Sequence, residues 1–196
     1  CIRDSCKPNW YWRVVPNYFD VRDFSPELRK EDYAVYIGRI GRNKGLDIAI
    51  DATFRAGVKL KVAGQGNSKD VGFDQWPDHV EFIGYAGVEE RRELMGRAKF
   101  GFLLSQYWEP FGGTAVEMML SGCVPIVMDM GAMTEYIVDG VNGFRCNTMG
   151  DILVAMRSIN SINRNKMLKF AQDNFSLEGV RPKFERAFAD FIDVYN

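Results

Sequence analysis

The chain has 196 residues, 46% of them hydrophobic, with 25 basic and 26 acidic side chains and a net charge of −1. That length and apolar content supply one well-buried core and leave little room for two domains. The interspersed charge argues against a dedicated nucleic-acid or polyanion surface, and no apolar run or opening segment has the pattern of a membrane span or a signal peptide.

Residues 1–12 have no clean period and are expected to be an incoming segment. Residues 13–20 resemble a short strand interrupted by the turn signal Pro16-Asn17, and a charged loop follows to Asp32. Residues 33–38 form a compact apolar strand. A helix is predicted over 44–56, with Leu46, Ile48, Ala49, Ile50, Ala52 and Phe54 packing inward. Strands are expected at 60–64 and 80–84, an amphipathic helix at 89–98, and further strands at 100–104 and 124–128. A helix opens near Thr114, where Ala115, Met118 and Met119 recur at helical spacing. A short helix at 133–138 precedes the turn 139–144, and helices occupy most of the remainder. The last of these carries Phe184, Phe188, Phe191 and Ile192 on one face, as self-packing or as an interface with another domain.

Apolar strands alternating with helices imply an α/β fold, a Rossmann-like, doubly wound parallel sheet covered on both faces. Ligands of such sheets bind at the carboxyl ends of the strands. Gly38, Gly64, Gly84, Gly112 and Gly113 all fall at or just beyond strand ends, which keeps that edge open. The four cysteines, Cys1, Cys6, Cys123 and Cys146, lack paired zinc spacing and fit thiols of a reducing cytosol better than a disulfide framework. His79 is the single histidine, too few for a histidine metal site, and is expected at a strand end. The chain opens on Cys1 rather than a methionine, which suggests part of a longer protein.

The chemistry concentrates between Trp108 and Cys123. Pro110 disfavours helical geometry at Glu109 and leaves its carboxylate on a loop. Gly112 and Gly113 admit close backbone approach, and the unpartnered amides opening the next helix suit a phosphate. Glu117 has two readings: a second acidic site residue, or the glutamate of a capping box in Thr114-Ala-Val-Glu117. After the strand at 33–38 come Arg39, Arg42 and Lys44, a planar fork and point charges suited to a diphosphate, although three cations in six residues also describe a solvated loop. No Gly-x-x-x-x-Gly-Lys-Ser/Thr is present, and Gly64-Gln-Gly66-Asn-Ser-Lys69 puts lysine where the dinucleotide fingerprint needs a small residue.

Six segments in register give a family resemblance: Val14-Val-Pro-Asn-Tyr-Phe-Asp20, Gly38-Arg39-x4-Lys44-Gly45, Val62-Ala-Gly-Gln-Gly66, Val80-x-Phe-x-Gly84, Glu109-x7-Glu117 enclosing Phe111-Gly112, and Gly140-Val-Asn-Gly-Phe144. The chain resembles the C-terminal, donor-binding half of the GT-B glycosyltransferases, specifically the large retaining family 4, from about residue 13 onward. The resemblance implies that Arg39 and Lys44 hold the diphosphate of a nucleotide-sugar donor (a UDP-, GDP- or ADP-sugar) and that Glu109 contacts the donor sugar. It implies that the amides of Phe111, Gly112, Gly113 and Thr114 reach sugar and phosphates, and that Glu117 takes the ribose hydroxyls. Ile83, Gly84 and Tyr85 would flank the base, with Gly64 and Gly66 on the pocket floor. It further implies no metal or other cofactor, a cytoplasmic protein with scope for peripheral membrane contact through an N-terminal domain outside this chain, and a glycan, lipid or protein acceptor held by that domain. Two departures are Met118, where alanine is usual, and Gly131-Ala-Met-Thr-Glu135 in place of Gly-Gly-x-Pro-Glu. The domain division expected is 1–12, 13–178 and a C-terminal helix at 179–196, and the isolated domain is expected to be inactive or weakly active. Competing readings are a non-catalytic nucleotide-sugar-binding module and a GT-B epimerase.

Overall fold

Among the described residues six short strands pair into one all-parallel sheet: β1 Glu31–Ile37, β2 Lys59–Ala63, β3 Val80–Gly84, β4 Ala98–Leu103, β5 Val124–Met128 and β6 Phe144–Cys146. The spatial order is β3-β2-β1-β4-β5-β6 in this computed structural model, which describes residues 14–27 and 29–195. Among the described residues, seven α-helices connect and follow them: α1 Leu46–Ala56, α2 Val88–Arg97, α3 Gly113–Leu120, α4 Met133–Tyr136, α5 Met149–Ser158, α6 Arg164–Phe175 and α7 Leu177–Tyr195. The doubly wound α/β architecture expected from the alternation is present.

The central strand shows why the runs are nearly all apolar. Along β1, Ala34 and Tyr36 enter a core shared with Leu46, Ile50, Phe102 and Val116, while Tyr33, Val35 and Ile37 enter a second one with Leu94, Met95, Met118 and Cys123. A strand flanked by helices on both faces has no wet side, so period-two alternation disappears. Most predicted boundaries fall within one or two residues of the observed ones. The three-residue β6 lies at and beyond the end of what the sequence reads as a turn, since its pattern is too short to register.

Three expectations need correction. Residues 14–18 form no strand, and only Phe19 touches another segment as a bridge, to Ser176, with its amide donating to the Phe175 carbonyl at 2.8 Å. Pro16 has no N–H to offer a ladder. The helix predicted from Lys44 begins at Leu46, because Arg42–Lys44 is a 3₁₀ turn closed by Gly45 in the left-handed conformation (φ 70°). Phe54 does not pack inward: it is 70% exposed and lies beside the His79 ring, 5.6 Å between centroids. The inward position seven residues after Leu46 belongs to Thr53, whose hydroxyl donates to the Ala49 carbonyl at 2.7 Å, so a polar residue holds a core site by bonding back to its own helix. Cys1, Cys6 and the segment 1–12 lie outside the described residues. His79 precedes β3 as expected, with Nε2 3.2 Å from the Ile50 carbonyl.

Cys123 and Cys146 are buried free thiols. Burial pushes the Cys123 thiol from its ordinary 9 up to about 12. A group whose pKa is raised on folding contributes stability that is fully present below the unfolded value and is lost as pH climbs through the folded one. Lys30 acts in the opposite sense, because burial lowers its ammonium to about 8, so its contribution rises with pH above that value. The melting temperature should therefore fall less steeply between pH 9 and 12 in Cys123→Ala than in the parent, a window set by the thiol's two values. Parallel slopes in differential scanning calorimetry would remove the thiol from the account.

Candidate functional site

β1 and β4 are neighbours in the sheet, yet the chain leaves them in opposite directions: β1 leads through α1 to β2, and β4 leads through α3 to β5. The loops at their carboxyl ends therefore diverge and leave a crevice at this switch point. Two contacts join the loops at their base. The Gln106 amide donates to the Asn43 carbonyl at 2.8 Å. Gly45 lies so near the Leu104 carbonyl that a Cβ there would sit 2.1 Å from its oxygen.

This clamp carries Lys44 to Glu109. Their Nζ and Oε1 are 2.7 Å apart, with side chains 26% and 13% exposed. Ser105 Oγ donates to the same carboxylate oxygen at 2.6 Å. Lys44 also bonds the Tyr107 hydroxyl, with Nζ 4.5 Å from the ring centroid. An ammonium that meets the hydroxyl approaches the ring's oxygen edge rather than its face, so the contact is a hydrogen bond rather than a cation–π stack. The Glu109 backbone is gripped from the next loop: its carbonyl accepts from the Ala132 amide at 3.0 Å, and Gly131 approaches so closely that a Cβ would lie 2.7 Å from that oxygen.

α3 aims its N-terminus into the same crevice. Its cap is Gly112, left-handed at φ 72°, and no side chain bonds the first amides. The capping-box reading of Glu117 is thereby overturned. With Gly112 as cap the third helical residue is Ala115, and Glu117 lies too far along the helix to reach back. Its carboxylate pairs instead with the Arg91 guanidinium of α2. The Gly112 turn is buttressed by the Tyr136 hydroxyl, shared between the Phe111 and Gly112 carbonyls at 2.8 and 3.0 Å. Tyr136 is fixed in turn by buried Asn142, whose amide donates to the Tyr136 carbonyl and whose Oδ1 accepts from the Val138 amide.

The resulting trough has two lobes with shared walls. One, of about 320 Å³, is lined by Gly38, Arg39, Gly64, Tyr85, Arg91 and Thr114. The other, of about 150 Å³, is lined by Arg39, Lys44, Glu109, Gly112, Gly113 and Thr114. The structure thus brings together most of the residues singled out in the sequence. Gly66, Ile83, Gly84, Phe111 and Glu117 do not line either lobe. Gly66 packs over Ile40, Ile83 packs against the α2-side core, and the Gly84 carbonyl accepts the Gly64 amide at 2.7 Å. The Phe111 ring turns inward to stack on Phe19. Glu117 borders a smaller cavity of about 90 Å³ between α2, α3 and the Phe19–Phe24 stretch. Ser105, Tyr107 and Arg91 were not anticipated. Ser105 and Tyr107 lie close before Glu109 and had a proximity signal, but Arg91 sits in an ordinary charged helix run.

Among the described residues no group of histidine, cysteine, aspartate and glutamate is placed to hold a metal ion, and no helix is long and apolar enough to cross a membrane. The C-terminal helix leaves Phe184, Phe188 and Ile192 at 39, 64 and 57% exposure, whereas Val180 is buried. The Phe191 side chain lies outside the described residues.

Comparison with known sequences matches residues 19–173 to the family described as glycosyl transferases group 1. The chain belongs to that family. Among curated relatives, a glycogen synthase of Mycobacterium tuberculosis (strain ATCC 25618 / H37Rv) is 31% identical over 137 residues, 64% of this chain and 33% of that protein. The lipopolysaccharide 1,2-N-acetylglucosaminetransferase of Salmonella typhimurium (strain LT2) is 24% identical over 224 residues, covering 92% of this chain and 57% of the relative. The chain thus spans from a third to somewhat over half of these proteins. The solved structure of Anabaena Alr3699/HepE in complex with UDP superposes with a TM-score of 0.76 at 18% identity, over 91% of this chain and 57% of that one. A likeness at that identity establishes the fold, here that of the GT-B glycosyltransferases.

In this member of the group 1 family the Gly45–Leu104 contact carries the site. Gly45→Ala introduces both a left-handed alanine and a backbone overlap, whereas Gly140→Ala (φ 71°) meets open space. We expect Gly45→Ala to cost roughly 2 kcal/mol or more of unfolding free energy and Gly140→Ala about 1, measured by urea denaturation. Equal costs would show that the close approach imposes nothing.

Proposed function

We propose that this chain is the donor-binding domain of a retaining, family 4 glycosyltransferase, which transfers a sugar from a nucleoside-diphosphate sugar to an acceptor hydroxyl. The acceptor, a glycan, lipid or protein, is held by a domain outside this chain. The observation that carries the reading is the convergence of Arg39, Lys44, Glu109 and the amides opening α3 on one trough. That several similar solved structures are complexes with UDP or UDP-glucose agrees with it.

In this reading the diphosphate lies between Arg39, Lys44 and the Gly113–Thr114 amides. Each cation contributes roughly 1.5–3 kcal/mol as a charge-assisted hydrogen bond. As the sugar–oxygen bond breaks, charge grows on the departing diphosphate, and donors already in place stabilise it without reorganisation. No metal is assigned to this task. Glu109, held by Ser105 and Lys44, turns its remaining acceptor capacity toward hydroxyls of the donor sugar. The larger lobe takes the nucleoside, with Tyr85 beside the base, Gly64 beneath it, and Glu117 accepting from the ribose diol. The retaining course and the cytoplasmic setting follow from the family resemblance.

Arg39→Ala should weaken nucleoside-diphosphate binding about tenfold or more, the loss of roughly 1.4 kcal/mol or more. Lys44→Ala should lose affinity less cleanly, since it also frees Glu109, and Glu109→Gln should mainly reduce discrimination among donor sugars. A thermal-shift screen against UDP-, GDP- and ADP-sugars selects the base, because ligand at a hundred times its dissociation constant adds about 2.7 kcal/mol. Unchanged calorimetric affinity in Arg39→Ala would count against the diphosphate assignment.

A further inference from the structure

The nucleoside end of the trough contains an arginine that no motif points to. Arg91 is the fourth residue of α2, one turn from the amino end, where the helix dipole disfavours a cation. A cation placed there needs a compensating anion, and Glu117 of α3 supplies it: Arg91 Nη2 donates to Glu117 Oε2. The two side chains are 34% and 16% exposed. Behind the carboxylate lies the 90 Å³ cavity walled by Phe19, Phe24, Val88 and Met95, which offers it no donor of its own apart from Arg91 and the neighbouring Arg92. Arg92 is occupied elsewhere, donating to Glu89 and to the carbonyls of Arg22 and Asp23. Among the described residues Arg91 is thus the partner of Glu117, and Glu117 Oε1 is left without one.

Arg91 also lines the 320 Å³ lobe with Arg39, Tyr85 and Thr114. Arg91 therefore borders both that lobe and the small cavity that Glu117 lines, with guanidinium donors that the Glu117 bond does not use. Without Arg91, Glu117 has no charged partner among the described residues to fix its orientation.

We infer that Arg91 is a positioning residue for the nucleotide: it holds Glu117 by one carboxylate oxygen and so presents the other to the ribose hydroxyls. This rests on the nucleotide-sugar reading above. Its consequence is selective, because an oriented acceptor rewards the 2′-hydroxyl and is indifferent to the diphosphate. A site built to bond a hydroxyl rejects the analogue that lacks it.

The test measures calorimetric affinity of the whole chain for UDP, GDP and ADP, for the 2′-deoxy form of whichever binds, and for inorganic pyrophosphate. Arg91→Met keeps the aliphatic stem and removes the guanidinium, while Arg91→Lys keeps the charge without the planar fork. We expect the parent to prefer the ribonucleotide by about tenfold, and Arg91→Met to lose most of that preference while its pyrophosphate affinity stays within about twofold. Arg91→Lys should restore part of the preference, and melting curves confirm that both variants fold. An unchanged ribo-to-deoxy ratio in Arg91→Met, or an equal loss for all probes, overturns the role of Arg91 alone. A parent chain that binds pyrophosphate but none of the three nucleotides overturns the nucleotide reading and this inference with it.

Discussion

The contact on which the site depends is between two stretches of backbone. Gly45 lies against the Leu104 carbonyl, and the Gln106 amide bonds the Asn43 carbonyl, so the loops that leave β1 and β4 are joined where the topology drives them apart. Lys44 and Glu109 are 65 positions apart in the chain, yet each is only a residue or a few from this junction. Their 2.7 Å pairing follows from the clamp with little left for the side chains to arrange. A flexible lysine reaching across an open cleft would lose far more rotamer freedom than it recovers in a solvent-screened ion pair. Here the backbone has already set the separation.

The loop after β5 and the turn before β6 do the corresponding work from the other side. Gly131 and the Ala132 amide enclose the Glu109 backbone, and the Asn142–Tyr136 chain of hydrogen bonds ends on the carbonyls of Phe111 and Gly112. Burial pushes the Tyr136 hydroxyl far above its usual range, which favours its neutral, hydrogen-bond-donating form. The left-handed Gly112 that aims α3 at the trough is thus held by a buried polar network with its partners supplied, the condition under which such networks rigidify. Ala132, where the resembled pattern has glycine, fits because its own backbone is right-handed helical and needs no special freedom.

What could be read from the chain followed periodicity and punctuation. The β1 and β5 runs are unambiguous because strands buried on both faces leave continuous apolar stretches, β2 and the edge strand β3 keep an apolar pattern broken by Lys61 and Glu81, and the glycines beyond them mark the open edge. Arg39, Lys44, Glu109 and the Gly112–Thr114 turn were legible for the same reason: each is a polar or glycine residue at the end of such a stretch. What failed was decided by three-dimensional neighbours. Phe54 satisfies the apolar pattern, but Thr53 takes the inward position by bonding Ala49, an outcome that no window of hydrophobicity contains. The capping-box pattern at Thr114 matched in letters but not in frame, since the left-handed Gly112 started the helix early. Arg91 could not be recognised at all. In Glu89-Glu-Arg-Arg-Glu93 every residue looks like a solvated helix face, and only the packing of α2 on α3 turns one of them toward Glu117.

The charges of the trough add up in a way that bears on its ligand. Lys44 is tied to Glu109 and Arg91 to Glu117, and both pairs are partly sheltered from water. Among the described residues no carboxylate pairs with Arg39, the remaining cation of the two lobes and the cation common to both. An unneutralised guanidinium at the junction, facing the amides that open α3, leaves the local field positive just where the lobes meet. A ligand with its negative charge in the middle and uncharged groups at either end matches that pattern. One with its charge at an extremity would instead meet the already paired Lys44–Glu109 or Arg91–Glu117 groups, away from the unpaired cation. On the proposed reading, that pattern of ion pairs suits an anion carried centrally between two polyhydroxylated parts, which is how charge is distributed in a nucleoside-diphosphate sugar.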